Sequence, residues 1–217
     1  MRRLGKYWWL LKLGSFVIVL YLGTLSNVIC LIQPAHIPLD TNHLHGSGTI
    51  VFVPLTQSSQ RTLETLAAHY RMKYGLTIEV SSVLRAPDSA YDSERNQLIA
   101  EEVVAHVRRQ IGLGSQEQPR VMILLTEQDI YIRGYNWRYA FSYRENEIGL
   151  VSSARMDHWF MGVWRPDEET QTSRLRKMIT KNMGVLYYHL PLSTNCRSVM
   201  YGKVGGPQEL DFMSEEF

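Results

Sequence analysis

Apolar and polar positions divide the chain into a long uncharged N-terminal stretch and a body in which short apolar runs alternate with segments of helical period. From Leu13 to Leu39 no charged residue occurs. At about 1.5 Å per residue that run is long enough to cross roughly 30 Å of hydrocarbon. Further along, residues 50–53 form an apolar run closed by Gly48 and Pro54, which reads as a strand. Residues 59–74 carry Leu63, Leu66, Ala67 and Tyr70 at helical spacing, with Gly75 as the stop signal. Residues 76–80 alternate as a strand. After Pro87 a second helix is predicted from about Ser93 to Ile111, with Leu98, Ile99, Val103, Val107 and Ile111 as its apolar stripe. Residues 120–125 are apolar enough for a central strand.

This βαβαβ beginning predicts an α/β fold, a mostly parallel sheet with helices on its faces. Segments 129–132, 137–143 and 148–153 read as hairpin or edge strands. Residues 172–188 read as a third helix, and Gly202, Gly205, Gly206 and Pro207 as turns. The expected organisation is an N-terminal segment (1–32), a linker (33–47) with Pro34, Pro38, His36, His43 and His45, and one domain (48–217).

Charge orients the first segment. Arg2, Arg3, Lys6 and Lys12 precede Asp40 and no acidic residue does, so the N-terminus is cationic while the body, with the remainder of 23 basic and 21 acidic residues, is near neutral. A positive flank beside Tyr7, Trp8 and Trp9 predicts a single-pass membrane helix with the domain on the outer side. The alternative is a cleaved secretory signal and a secreted domain. The near-neutral body carries no nucleic-acid footprint. With only Cys30 and Cys196, no disulfide framework or cysteine-rich metal site is expected, and Cys30 reads as a buried apolar thiol.

Several strings then line up in order: PDSAYDSERNQL (87–98), LLTEQDIYIRGYNWRYAFS (124–142), IGLVSSARM (148–156), RLRKMITKNMGVLYY (174–188) and NCRSVMYG (195–202). Together they resemble the archaemetzincins, a branch of the metzincin (zincin) zinc metallopeptidases. The resemblance covers about residues 49–217. It implies a zincin-like domain whose active-site helix, carrying HExxHxxGxxH, is followed by a methionine turn, and it implies catalytic zinc.

That chemistry needs two His on one helix face, a Glu to shuttle protons for zinc-bound water, a Gly that ends the helix, and a third ligand beyond it. With Gly184 as the glycine, the ligand positions fall on Lys177 and Lys181, the general-base position on Met178 and the third-ligand position on Tyr187. Only scaffold matches: Gly184, its helix, and Met200 as the methionine of the turn. Taking His189 as third ligand rescues one ligand and loses the glycine. A single ammonium about 4 Å from a divalent cation is repelled by roughly 8 kcal/mol at an effective dielectric near 20. The expectation is therefore no cofactor and no peptidase activity: a pseudoenzyme whose binding residues are Lys177, Lys181 and Tyr187, taking a peptide, protein or anion. Alternatives are that the two lysines are a solvated helix face, that the chain is an active zinc peptidase with relocated ligands among His69, His106, His158 and His189, or that it is a structural envelope protein.

The remaining candidates have simpler readings beside the functional one. Asp129, Arg133 and Asn136 line a cleft or serve a turn. Tyr91, Asp92 and Arg95 form a pocket or, for Asp92 or Ser93, cap the second helix. Ser152 and Ser153 border the cleft, and Arg155 pairs with an internal carboxylate. Trp159, Phe160, Met161 and Trp164 form an exposed flap or a packed edge.

Overall fold

The structure is a computed structural model describing residues 30, 32–40, 44–46, 48–111, 120–157 and 166–217. Its centre is a five-stranded sheet built from β1 (Thr49–Pro54), β2 (Ile78–Val80), β5 (Arg120–Thr126), β7 (Ser142–Glu145) and β8 (Ile148–Ser152), in the order β2-β1-β5-β8-β7. β1 runs parallel to β2 and β5, and β5 parallel to β8; only β7 is antiparallel, paired to β8 from Ser142↔Val151 to Glu145↔Ile148. β7 is therefore an edge. A second, three-stranded sheet joins β3 (Tyr91–Asp92), β4 (Gln97–Ile99) and β6 (Ile130–Tyr131).

Strand alternation splits the core in two. Ile50, Phe52, Val121, Ile123 and Leu125 face one side, where helix α1 (Gln57–Tyr74) packs Leu63, Leu66, Ala67 and Tyr70 and helix α3 (Glu168–Leu186) packs Leu175, Ile179 and Met183. Val51, Val53, Met122, Leu124 and Leu150 face the other, against Val103, Val104 and Val107 of helix α2 (Ala100–Ile111). Both β1 and β5 are buried on both faces, which is why they read as unbroken apolar runs.

Local chemistry sets the helix ends. Thr56 caps α1, accepting from the Ser59 amide at 3.0 Å, while Ser59 Oγ accepts from the Thr56 amide at 2.9 Å. Gly75, at φ 63°, ends it. Asp167 caps α3 through the Thr170 amide at 2.8 Å.

Three expectations are corrected. The second helix starts at Ala100, not Ser93: Asp92 Oδ1 accepts from the Glu94 and Arg95 amides, and Asn96 takes φ 54°, so residues 92–97 make a hairpin turn and Leu98 and Ile99 lie in β4. Pro207 does not simply follow a turn; it opens a short helix, α4 (Pro207–Phe212), at the first helical position. Cys30 is no free thiol. It is disulfide-bonded to Cys196, with Cα atoms 5.7 Å apart.

That bond lies among hydrogen bonds from Asn195 Nδ2 to the Pro34 carbonyl, the Cys196 amide to Gln33 Oε1 and Arg197 Nε to the Cys30 carbonyl. Part of the expected linker is thus fastened alongside the segment that precedes the methionine turn. The proposed membrane segment falls almost wholly outside the described residues, as do His43, His158 and the Trp159–Trp164 flap. Among the described residues no helix is long and apolar enough to cross a membrane.

Candidate functional site

Beneath edge strand β7 the surface opens into a cleft of about 750 Å³. Its floor is α3, through Met178 and Lys181; one wall is residues 139–144 leading through β7; the other is residues 202–205, just after the methionine turn. Tyr135 and Trp137 stand on its rim, 54% and 57% exposed, stacked with ring centroids 4.4 Å apart.

The loop that carries this aromatic ledge is held from behind. Arg95 stacks on the Tyr131 ring at 4.0 Å and donates to the carbonyls of Trp137 and Arg138, and Gln97 Nε2 donates to the Arg138 carbonyl at 2.7 Å and to Asp129 Oδ2 at 2.8 Å. Arg155 completes the network, pairing with Asp129 at 2.5 Å, so the expected internal carboxylate for Arg155 is Asp129. Asp129 and Arg95 therefore position the cleft wall and do not line it. Arg133 is turned to α2, bonded to Glu102 at 2.8 Å.

Residues 198–201, where the motif order predicts a methionine turn, form a tight turn. The Tyr201 amide bonds the Ser198 carbonyl at 3.0 Å, and the Met200 amide bonds Ser198 Oγ at 3.1 Å. Met200 then packs under α3: a Cβ on Gly184 would stand 2.6 Å from Met200 Sδ and 2.8 Å from Phe217 Cε1. Gly184 is thus needed for close packing. It does not end the helix, which continues to Leu186 and reverses only at His189, φ 54°.

The positions assigned to ligands separate. Lys181 lines the cleft, 3% exposed, and donates one hydrogen bond to the Tyr201 carbonyl. Burial and the Arg144 guanidinium push its ammonium down to about 8. Lys177 is also buried, but its amino group bonds the Leu210 carbonyl at 2.9 Å, towards α4 and away from the cleft; burial lowers it from the ordinary lysine value. Both lysines are buried, so the solvated-face reading is corrected, and of the two only Lys181 lines the cleft. Tyr187 is corrected too: its ring fills the space beside Gly46, where any side chain would overlap it. His189 is exposed beyond the helix end. Ser152 and Ser153 belong to or follow β8, with Oγ atoms bonded to the Gln128 and Thr126 carbonyls; the strand bordering the cleft is β7.

Sequence reasoning missed Arg144. Half-buried in β7, it reaches Asn182 Oδ1, next to Lys181 in the chain, at 3.3 Å and Ser142 Oγ at 3.5 Å, and burial lowers its basicity. Arg144 falls just past the segment 137–143 that the pattern marks as a strand, so no sequence signal singled it out.

Zinc can be tested against these donors. An ammonium engaged with a carbonyl offers no lone pair, and the thioether of Met178, which the motif register puts at the general-base position, moves no proton. The residues on α3 therefore do not fit a catalytic zinc ion. Among the described residues no group of three or more His, Cys, Asp or Glu is placed to hold a metal ion.

No protein-family model matches the chain. The archaemetzincin of Haloarcula marismortui is 25% identical over 134 residues, 61% of this chain and 74% of that protein. The solved archaemetzincin of Methanopyrus kandleri superposes with a TM-score of 0.60 at 20% identity, covering 82% of this chain and 92% of its own. A zinc-dependent peptidase from Methanocorpusculum labreanum gives 0.56 at 18% identity, covering 78% and 95%. The mixed, mostly parallel sheet agrees with the solved relatives, and the chain is archaemetzincin-like.

Proposed function

We propose that this chain is a pseudopeptidase, an archaemetzincin-like domain with a peptide-binding cleft and no catalytic zinc. It holds an extended peptide or protein segment between β7 and α3 and does not cleave it. The observation that carries this reading is the pair of lysines on α3: at the two positions that the motif register assigns to metal ligands, Lys177 and Lys181 each donate to a backbone carbonyl. The domain sits on the outer side of a membrane, tethered by the uncharged N-terminal run. Its disulfide supports that placement, because such bonds persist in oxidising compartments.

The test is a cleavage assay on the full chain purified in detergent, with a quenched fluorescent peptide library and added zinc. The expected rate equals that of buffer, with or without 1,10-phenanthroline. Chelator-sensitive cleavage overturns the reading in favour of an active peptidase with ligands elsewhere in the chain.

A further inference from the structure

The cleft gathers cations that no carboxylate among the described residues meets. Several buried or half-buried arginines elsewhere do meet carboxylates at short range, Arg174 with Asp211 at 2.7 Å, Arg176 with Glu215 at 2.7 Å and Arg108 with Glu145 at 2.9 Å, while buried Lys177 meets a carbonyl. Lys181 and Arg144 have no carboxylate partner among the described residues; Lys181 uses one of its three donors on a carbonyl, and Arg144 has only long contacts to neutral oxygens. Arg138 and Lys203 add two more cations, and no Asp or Glu stands among the described residues that line the cleft. Glu145 accepts from the hydroxyl of cleft-lining Tyr143 at 2.9 Å but is itself paired with Arg108, and Glu209 lies in the first turn of α4.

We infer that the cleft selects peptides carrying an acidic side chain, whose carboxylate is held by Lys181 and Arg144. This rests on the peptide-holding reading above and names the ligand it takes. Charge complementarity sets the sign of the occupant. A guanidinium fork beside an ammonium matches a carboxylate in geometry as well as charge. Size sets its class: a cavity of about 750 Å³ bordered by the stacked Tyr135 and Trp137 exceeds a lone small anion and offers a flat apolar face to the side chains flanking the acid. The depressed basicity of Lys181 fits, since an arriving carboxylate restores the charged form that burial disfavours.

The experiment incubates the immobilised full chain, in detergent, with a random octapeptide library blocked at both ends, and sequences the retained peptides by mass spectrometry. Asp and Glu are expected to be enriched about five-fold or more over the input. For the best acidic peptide recovered, Lys181→Met and Arg144→Gln each weaken binding by about ten-fold or more, with Arg144→Lys falling between Arg144→Gln and the parent. Exchanging the peptide's Glu for Gln costs the parent chain the same and costs Lys181→Met little further, the signature of a direct pair that a folding defect does not imitate. Retention of neutral or basic peptides overturns the inference and leaves the peptide-holding reading standing. Retention of no peptide defeats both.

Discussion

At Lys181 the fold carries an ammonium group that burial opposes. Depression from the ordinary 10.5 to about 8 means that the unfolded chain binds this proton more tightly than the folded one. The cost is fully present below about pH 8 and is relieved as pH rises from 8 towards 10.5. Its neighbours do not change charge in that lower window: Arg144 remains a cation, and the Tyr143 hydroxyl, pushed up to about 12 by burial and Glu145, remains neutral, as does Tyr139. Arg138 and Lys203 are the other cations lining the cleft. Lys181→Met should therefore stabilise the protein at pH 7 by about 1–3 kcal/mol, and the gap to the parent should narrow by pH 10. Urea denaturation at the two pH values measures it; a destabilised variant, or a gap that widens with pH, contradicts the account. The resemblance to the zinc-helix motif marked Lys181 as a candidate cleft residue. It misplaced Lys177, because a four-carbon stem can swing to any carbonyl within reach, here that of Leu210. Periodicity carries no such information.

Among the elements α3 does most to build the site, and its far face is as specific as its cleft face. Arg174, wholly buried, donates twice to Asp211 on α4 at 2.7 Å and once to the Met156 carbonyl at 2.7 Å, binding helix, following helix and the loop after β8 together. Removing one partner of such a group costs more than the pair is worth, because the other is left uncompensated. Arg174→Met should lower stability by about 3 kcal/mol, read as a shift in the denaturant midpoint; a loss under about 1 kcal/mol contradicts this role. The helix itself was legible from its period, as were α1, β1 and β5, whose caps and double-sided burial leave strong local signals. The hairpin at Asp92–Gln97 was not. Leu98 and Ile99 fit a helical stripe as well as a strand, and only the turn geometry of Asp92 and Asn96 decides. Nor was α4 readable, since six residues after a glycine pair give too short a period.

At the scale of the molecule, the sheet, three long helices and methionine turn make an archaemetzincin-like frame, and the ends of the described chain brace it. Phe217 packs on Tyr74 and Tyr188, its carbonyl accepts from the Leu39 amide at 2.6 Å, and the Cys30–Cys196 bond closes a loop across most of the sequence. In the chain-entropy account such a closure contributes about 2–5 kcal/mol. Two cysteines so far apart gave no pairing signal, because proximity came from the fold. The bracing fastens the segment whose Tyr201 carbonyl occupies Lys181, so the lysine at the centre of the cleft is secured by the whole frame. Whether that lysine has displaced a metal is tested most directly by zinc content. The full chain, purified in detergent from zinc-supplemented cells without chelators, is weighed for zinc by inductively coupled plasma mass spectrometry against its protein concentration. The account predicts well under about one-tenth of an ion per chain; close to one tightly held ion per chain would contradict it.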